Sequence, residues 1–263
     1  DHCAPLYSDP TLLDHLVEEI NHLYEKRKIP KIELRWEFPA KYNNVSRSEY
    51  VLHSVAPNPS PENVAKQFHK THKRNINVAK KRGVTIDMGT SQVHLDAFYR
   101  LHQETRKRQG IPIQPKKFFN SIKNNILDHN LGFILLAYKD NECLAGAVFL
   151  HWQETLIYKY GASRKDTLNA RPNNLLFWHA IRWGCENGYK IFDLGKTELS
   201  NKGLRNYKSG WGAIESPLIY STLSNSVSRS GSGKLKSAME MVIQKSPSWV
   251  GRVTGELLYR HFG

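Results

Sequence analysis

Apolar residues recur at helical spacing over residues 11–27, "TLLDHLVEEINHLYEKR", where Leu12, Leu13, Leu16, Val17, Ile20 and Leu23 predict a helix. The runs "KIELRW" (31–36) and "YVLHSV" (50–55) alternate and predict strands. Next, "NPSPEN" opens a second helical pattern. Ser60 suits its N-cap, Pro61 its first position and Glu62 the dipole, and the pattern predicts one long helix to about Arg82, stopped by Gly83. Val64, Phe68, Ile76 and Ala79 share its apolar face. A strand "VTIDM" and helices over 92–109 and 115–128 follow.

Three strand-like runs, "GFILLAYK", "CLAGAVFLHW" and "TLIYKYGAS", are separated by the short turns "KDNE" and "QE", which predicts an antiparallel meander. A helix over 173–187 follows Pro172, then strands at "KIFDLG" and "SPLIYST". Between those two strands, "GLRNYKSGWGA" (203–213) reads as a glycine-rich loop. Residues 223–233 are rich in Ser and Gly, and 234–263 read as two short helices split near Pro247. This order is mixed α/β, or α+β-like, and fits neither a doubly wound sheet nor a barrel. There is no short repeat at a fixed period.

Composition narrows the picture. With 40% apolar residues in 263, the chain can build a core. A formal charge of +14 favours an anionic partner such as a phosphate, a nucleic acid or an acidic membrane surface. Cys3, Cys143 and Cys185 form no CxxC pair, so no disulfide framework is expected and the cytosol is the natural compartment. No apolar run is long enough to span a bilayer. The chain begins at Asp1 without Met, which reads as a fragment lacking its true beginning.

Several residue groups suggest chemistry. Lys208 stands beside Tyr207 among Gly203, Gly210 and Gly212, where a substrate backbone could come close to a fixed positive charge. The same pattern also fits a surface lysine in a turn. Lys66, Lys70, Lys73, Arg74, Lys80, Lys81 and Arg82 crowd one helix, as either a solvated face or a phosphate-binding wall. Arg106 and Arg108 end another helix, where they either complement its dipole or grip a phosphate or carboxylate through the planar guanidinium. His69 and His72 form an HxxH with no third ligand signposted, so no metal is expected. Neither G-x-S-x-G, GxxxxGK[ST] nor GxGxxG occurs at a place where it would hold a nucleophile or nucleotide.

The segments "KTHKRNINVAKKRGVTI", "YKYGASRKDTLNARPNNLLFWHAIRWGCENGYKIFDLGKTELSNKGLRNYKSGWGA" and "KSPSWVGRVTGELLYRHFG" resemble FemAB/FemX-type proteins, in the branch found in bacterial exopolysaccharide and protein-sorting loci. The resemblance spans residues 1–222 and is weaker beyond them. It implies two GNAT-like domains facing across a cleft. Residues 58–222 would be the second domain, 1–57 a remnant of an incomplete first, and 223–263 a linker with C-terminal helices packing on the first. Characterised relatives transfer an amino acid from aminoacyl-tRNA to an amine of a peptidoglycan precursor. Lys208 and Tyr207 match the family's aromatic–lysine pair, whose lysine stabilises the charged intermediate. Arg106 or Arg108 falls where an arginine grips precursor phosphates, Tyr158 and Tyr160 fall on a cleft-lining strand, and Lys73 and Arg74 belong to the basic wall. Asp193, in "DLG", is expected to be structural.

One departure bears on the donor. Acetyl-CoA-using relatives carry a [QR]-x-x-G-x-[GA] loop where this chain has "LNARPNNLL", which favours another donor, although that helix start could still bind an anion. The expectation is an N-acyltransferase acting on an amine of an anionic, phosphate-containing envelope or polysaccharide precursor. It would use aminoacyl-tRNA or acyl-CoA, hold no bound cofactor, and sit in the cytoplasm with peripheral membrane contact. The alternatives are an acyl-CoA-dependent acyltransferase of polysaccharide biosynthesis and a basic RNA-binding or scaffold protein without catalysis.

Overall fold

The structure, a computed structural model, describes residues 2, 4–39, 45–57, 60–224 and 241–246. The element order is α1 (Pro10–Lys26), β1 (Lys31–Leu34), β2 (Val45–Val55), α2 (Pro61–Lys66), α3 (Lys70–Lys81), β3 (Thr85–Gly89), α4 (Gln92–Gln109) and α5 (Lys116–Asn125). It continues with β4 (Gly132–Lys139), β5 (Glu142–Trp152), β6 (Thr155–Ser163), α6 (Pro172–Glu186), β7 (Ile191–Glu198), α7 (Lys202–Ser209) and β8 (Ile214–Ser224). The strands form one sheet in the order β1-β8-β2-β7-β6-β5-β4-β3. Every neighbouring pair is antiparallel except β6 and β7, whose parallel pairing requires the crossover that α6 supplies. The fold is therefore mixed α/β, as the order of predicted elements requires.

Strand alternation decides where the cores lie. Along β4, Phe133, Leu135 and Ala137 face a core shared with α2, α3 and α6, while Ile134 and Leu136 face a second core with α4 and α5. Both faces of the central strands are buried, which explains the near-continuous apolar runs in their sequence. A third cluster joins Val17 and Tyr24 of α1 to Phe38 and Leu223. Ile20 packs against the same cluster, while Leu12, Leu16 and Leu23 of the α1 stripe are exposed. The sheet runs unbroken through β2, which lies between β8 and β7. The expected C-terminal helices fall outside the described residues, except that 241–245 are helical.

Two segments depart from the sequence pattern. The long helix predicted from 61 to 82 is divided into α2 and α3. Between them Phe68 turns into the core, its ring edge-on to Trp178 and Trp211, and His69 donates its backbone N–H to the Gly210 carbonyl at 2.8 Å. The His69 ring then caps α3 by accepting from Thr71 N. Tertiary packing and one long-range hydrogen bond override a continuous helical propensity. The second departure is residues 202–209, read as a loop, which form α7. Asn201 caps α7 by accepting from Leu204 N at 3.1 Å, and Arg205 grips Glu215 of β8 through two bonds of 3.0 and 2.7 Å.

The joint between α3 and α7 is tight. A Cβ at Gly210 would lie 2.5 Å from His72 Nε2, in a ring held by stacking and hydrogen bonds. Gly210→Ala is therefore expected to cost roughly 1–3 kcal/mol through overpacking. Urea unfolding checks this: the midpoint should fall while the slope stays unchanged.

Candidate active site

The parallel ladder between β6 and β7 has three residue pairs, Thr155–Ile191, Leu156–Phe192 and Ile157–Asp193. Beyond them the strands part. β6 stays paired with β5 as far as Ser163, and β7 with β2 as far as Glu198. Each arm carries an irregularity on its paired side. On β6, Phe149 faces Tyr158 and Val148 faces Tyr160, so Lys159 is the extra residue. On β7, Leu194 and Gly195 lie opposite His53 alone, and Gly195 takes a left-handed φ of 76°. Bulges bend and twist the strands that carry them, here opening a wedge in the middle of the sheet.

Lys208 reaches into this wedge from the last turn of α7. Its ammonium donates to the Gly195 carbonyl at 2.9 Å and the Lys196 carbonyl at 3.1 Å. The residue is 6% exposed. Burial pulls the Lys208 pKa down to about 8, and the Asp193 carboxylate works against that shift. Beside it, burial raises the pKa of the Tyr207 phenol, reinforced by Tyr158, and burial pushes Tyr158 up to about 12. Both phenols are neutral at physiological pH. Lys208, Tyr207, Tyr158, Arg108, Thr105 and Ser163 line a cavity of about 230 Å³.

Four residues singled out from the sequence thus meet at one place, although they come from α4, β6 and α7. Arg108 lines the cavity, with Nη1 on the Ser163 carbonyl at 3.0 Å. Arg106, two residues earlier, lies against His102 at 3.4 Å, outside the residues that line the cavity. Tyr160 also turns elsewhere, packing on Phe119 in the α4–α5 layer. An unbroken strand would set Tyr158 and Tyr160 on one face, and the bulge at Lys159 separates them. Lys73 and Arg74 stand exposed on α3, Lys73 donating to the Lys66 carbonyl at 2.9 Å.

A larger hollow of about 910 Å³ adjoins the site, lined by His69 and Thr71 of the α3 start, Arg171 and Asn173 of the α6 start, and Asn206 and Ser209 of α7. His72 forms part of its wall. One ring nitrogen, Nε2, donates to the Tyr207 carbonyl at 2.9 Å, and Nδ1 accepts from Asn174 Nδ2 at 2.8 Å. Burial lowers its pKa, in keeping with that neutral form. With both nitrogens engaged, His72 ties α3, α6 and α7 together. The HxxH was its only signal in the sequence. Among the described residues no three His, Cys, Asp or Glu side chains cluster as metal ligands.

A second brace was not foreseen. His53, fully buried, pairs with Glu215 at 2.9 Å, and Arg205 holds the same carboxylate. Strands β2 and β8 thereby fix α7, and with it Lys208. Its partners lie 162 and 10 residues from Glu215, so no local pattern marks them.

A family model described as an acetyltransferase (GNAT) domain matches residues 66–209. The UDP-N-acetylmuramoylpentapeptide-lysine N(6)-alanyltransferase of Weissella viridescens is 23% identical over 116 residues, 44% of this chain and 34% of that protein. The chain thus matches about a third of that relative's length. The crystal structure of FemX superposes with a TM-score of 0.62 at 14% identity, covering 80% of this chain and 76% of FemX. The structure of L-PGS from Bacillus licheniformis gives 0.57 at 14% identity, covering 88% and 78%. These structural likenesses concern the fold.

The left-handed φ at Gly195 places its carbonyl under Lys208. Gly195→Ala is expected to lose roughly 1–2 kcal/mol through the strain of a Cβ in that region. The loss should appear as a thermal midpoint lower by about 2–8 °C for a chain of this size.

Proposed function

The chain belongs to the acetyltransferase (GNAT) domain family, and on that premise we propose that it is an N-acyltransferase of the Fem type. Its donor would be aminoacyl-tRNA and its acceptor an amine on an anionic, phosphate-bearing envelope precursor. The observation that carries this reading is the Lys208 ammonium, buried beside Tyr207 where β6 and β7 part. No enzyme nucleophile is needed. An amine attacks the acyl carbonyl, and the developing oxyanion requires a preorganised positive donor. Two N–H groups of Lys208 are held by backbone carbonyls, which fixes the third without any reorganisation during reaction. Tyr158, Tyr207 and Phe177 wall the cavity and exclude water, strengthening that interaction.

The start of α6 supports a donor other than acyl-CoA. Pro172 brings no N–H, and Asn174 N is already bonded to the Arg171 carbonyl at 3.1 Å. Two of the first three backbone donors are therefore withheld from a pyrophosphate. The exposed basic face of α3, with Lys70, Lys73, Arg74, Lys80 and Lys81, fits the phosphates of a tRNA. The acceptor class follows from the alanyltransferase, whose name specifies a lysine on a UDP-linked peptide. Arg108 gives the cavity a second cation beside Lys208, available to an anionic group. The second reading, acyl-CoA-dependent acylation of a polysaccharide amine, draws on the family match itself.

The test is a donor screen of charged tRNAs against acyl-CoAs, with amine acceptors and mass detection of product. Transfer from aminoacyl-tRNA supports the reading. Transfer from acyl-CoA alone selects the second, and no transfer from either contradicts both. Lys208→Met is expected to lower turnover at least ~100-fold, the scale of one lost oxyanion donor. Stability should change by only about 1–2 kcal/mol, because two carbonyls lose a donor while a buried charge is removed.

The pH profile provides an independent check. Lys208 acts as a cation, so its contribution is complete well below pH 8 and fades as pH rises through about 8. Lys208→Arg remains charged there, so its lower rate should lack that alkaline decline. An unchanged alkaline limb in the arginine variant would assign the decline to another group.

A further inference from the structure

Asp193 is unusually placed for a structural carboxylate. It stands at the last β6–β7 pair, opposite Ile157, where the wedge opens. Alternation along β7 turns it away from the core that holds Phe192 and Leu194. Its side chain is 9% exposed. One oxygen, Oδ1, accepts from Gly195 N at 2.6 Å. The other, Oδ2, has no hydrogen-bond partner among the described residues; the His2 ring stands 3.9 Å away, and the Lys159 and Lys208 ammoniums feel the carboxylate's charge. A carboxylate this far out of water gains from a cation or hydrogen-bond donor at its second oxygen.

Its position relative to Lys208 is specific. Gly195 alone separates the two groups: its N–H bonds the Asp193 carboxylate and its carbonyl bonds the Lys208 ammonium. A negative and a positive group are thereby fixed at opposite ends of one residue. That is the polarity acyl transfer to an amine requires, with an anion at the attacking nitrogen and a cation at the carbonyl oxygen.

We propose that Asp193 binds the acceptor's ammonium through Oδ2 and takes one proton from it, freeing the lone pair with which the nitrogen then joins the acyl carbon. This rests on the N-acyltransferase reading. The nitrogen–carbon bond forms and the bond from the acyl carbon to the leaving oxygen breaks. Of the two protons shed by the ammonium, one goes to the leaving oxygen and the other to Asp193, then to solvent. Nothing is oxidised or reduced.

Asp193→Asn separates this role from a structural one, because the amide oxygen can still accept from Gly195 N while the charge and the proton acceptor are lost. Two measurements on the full chain decide. In the first, n-butylamine and its uncharged counterpart N-butylacetamide are titrated while the Gly195 backbone amide is followed by NMR. The expected result is a shift with the butylammonium ion alone, abolished in Asp193→Asn at an unchanged melting temperature. No response in the wild type, or an equal response in the variant, overturns the proposal whatever the activity. In the second, transfer to the amine is expected to fall about 100-fold in Asp193→Asn, the scale of one lost proton acceptor. A variant within a few-fold of wild type also overturns it, while leaving the acyltransferase reading intact. An Asp193-dependent ammonium response in a protein that transfers from no donor sustains the ammonium site and removes that reading.

Discussion

The site depends on a β-ladder that stops early. β6 and β7 form three pairs and separate, each still supported by its other neighbour. Strands that part inside a sheet leave backbone groups without their usual partners, and a buried carbonyl without a donor costs roughly 1–3 kcal/mol. Here a side chain supplies the donor. The ammonium of Lys208 satisfies Gly195 and Lys196, so the same group that stabilises the opening also places a positive charge in it. Fold and chemistry share one interaction, which is why a lysine tolerates burial at this position.

A buried cation is normally disfavoured, and the pKa of about 8 records that cost. Two carbonyls and the nearby Asp193 reduce it but do not remove it. The result is a charge whose solvation is supplied by fixed protein dipoles rather than water, the condition under which it acts most strongly on a developing oxyanion. The surroundings hold that charge in place. His72 fixes the carbonyl of Tyr207, and the His53–Glu215–Arg205 brace fixes the helix that carries Lys208.

Much of this was legible in the sequence, for identifiable reasons. Helix α4 is capped by Ser91 at its start and by Gly110 in the left-handed conformation at its end, both local signals, and its predicted span matches. The meander β4–β5–β6 followed from its short turns. What was not legible depended on distant partners. The break at Gln67–His69 needs Gly210, and α7 needs its cap at Asn201 and its tie to Glu215, against glycines that argue for a loop. Tyr158 and Tyr160 diverge because of a bulge that only the pairing with β5 reveals. The choice between Arg108 and Arg106 likewise depends on how α4 is rotated against β6, which the sequence does not encode locally.

The central claim is that Lys208 meets the acyl carbonyl where β6 and β7 part. A crystal structure with a non-hydrolysable amide-linked 3′-aminoacyl-adenosine oligonucleotide tests it most directly. The account places the acyl oxygen within about 3 Å of Lys208 Nζ, in the cavity shared with Tyr158 and Tyr207. Density for the acyl group elsewhere, with Lys208 still bonded only to Gly195 and Lys196, would contradict it.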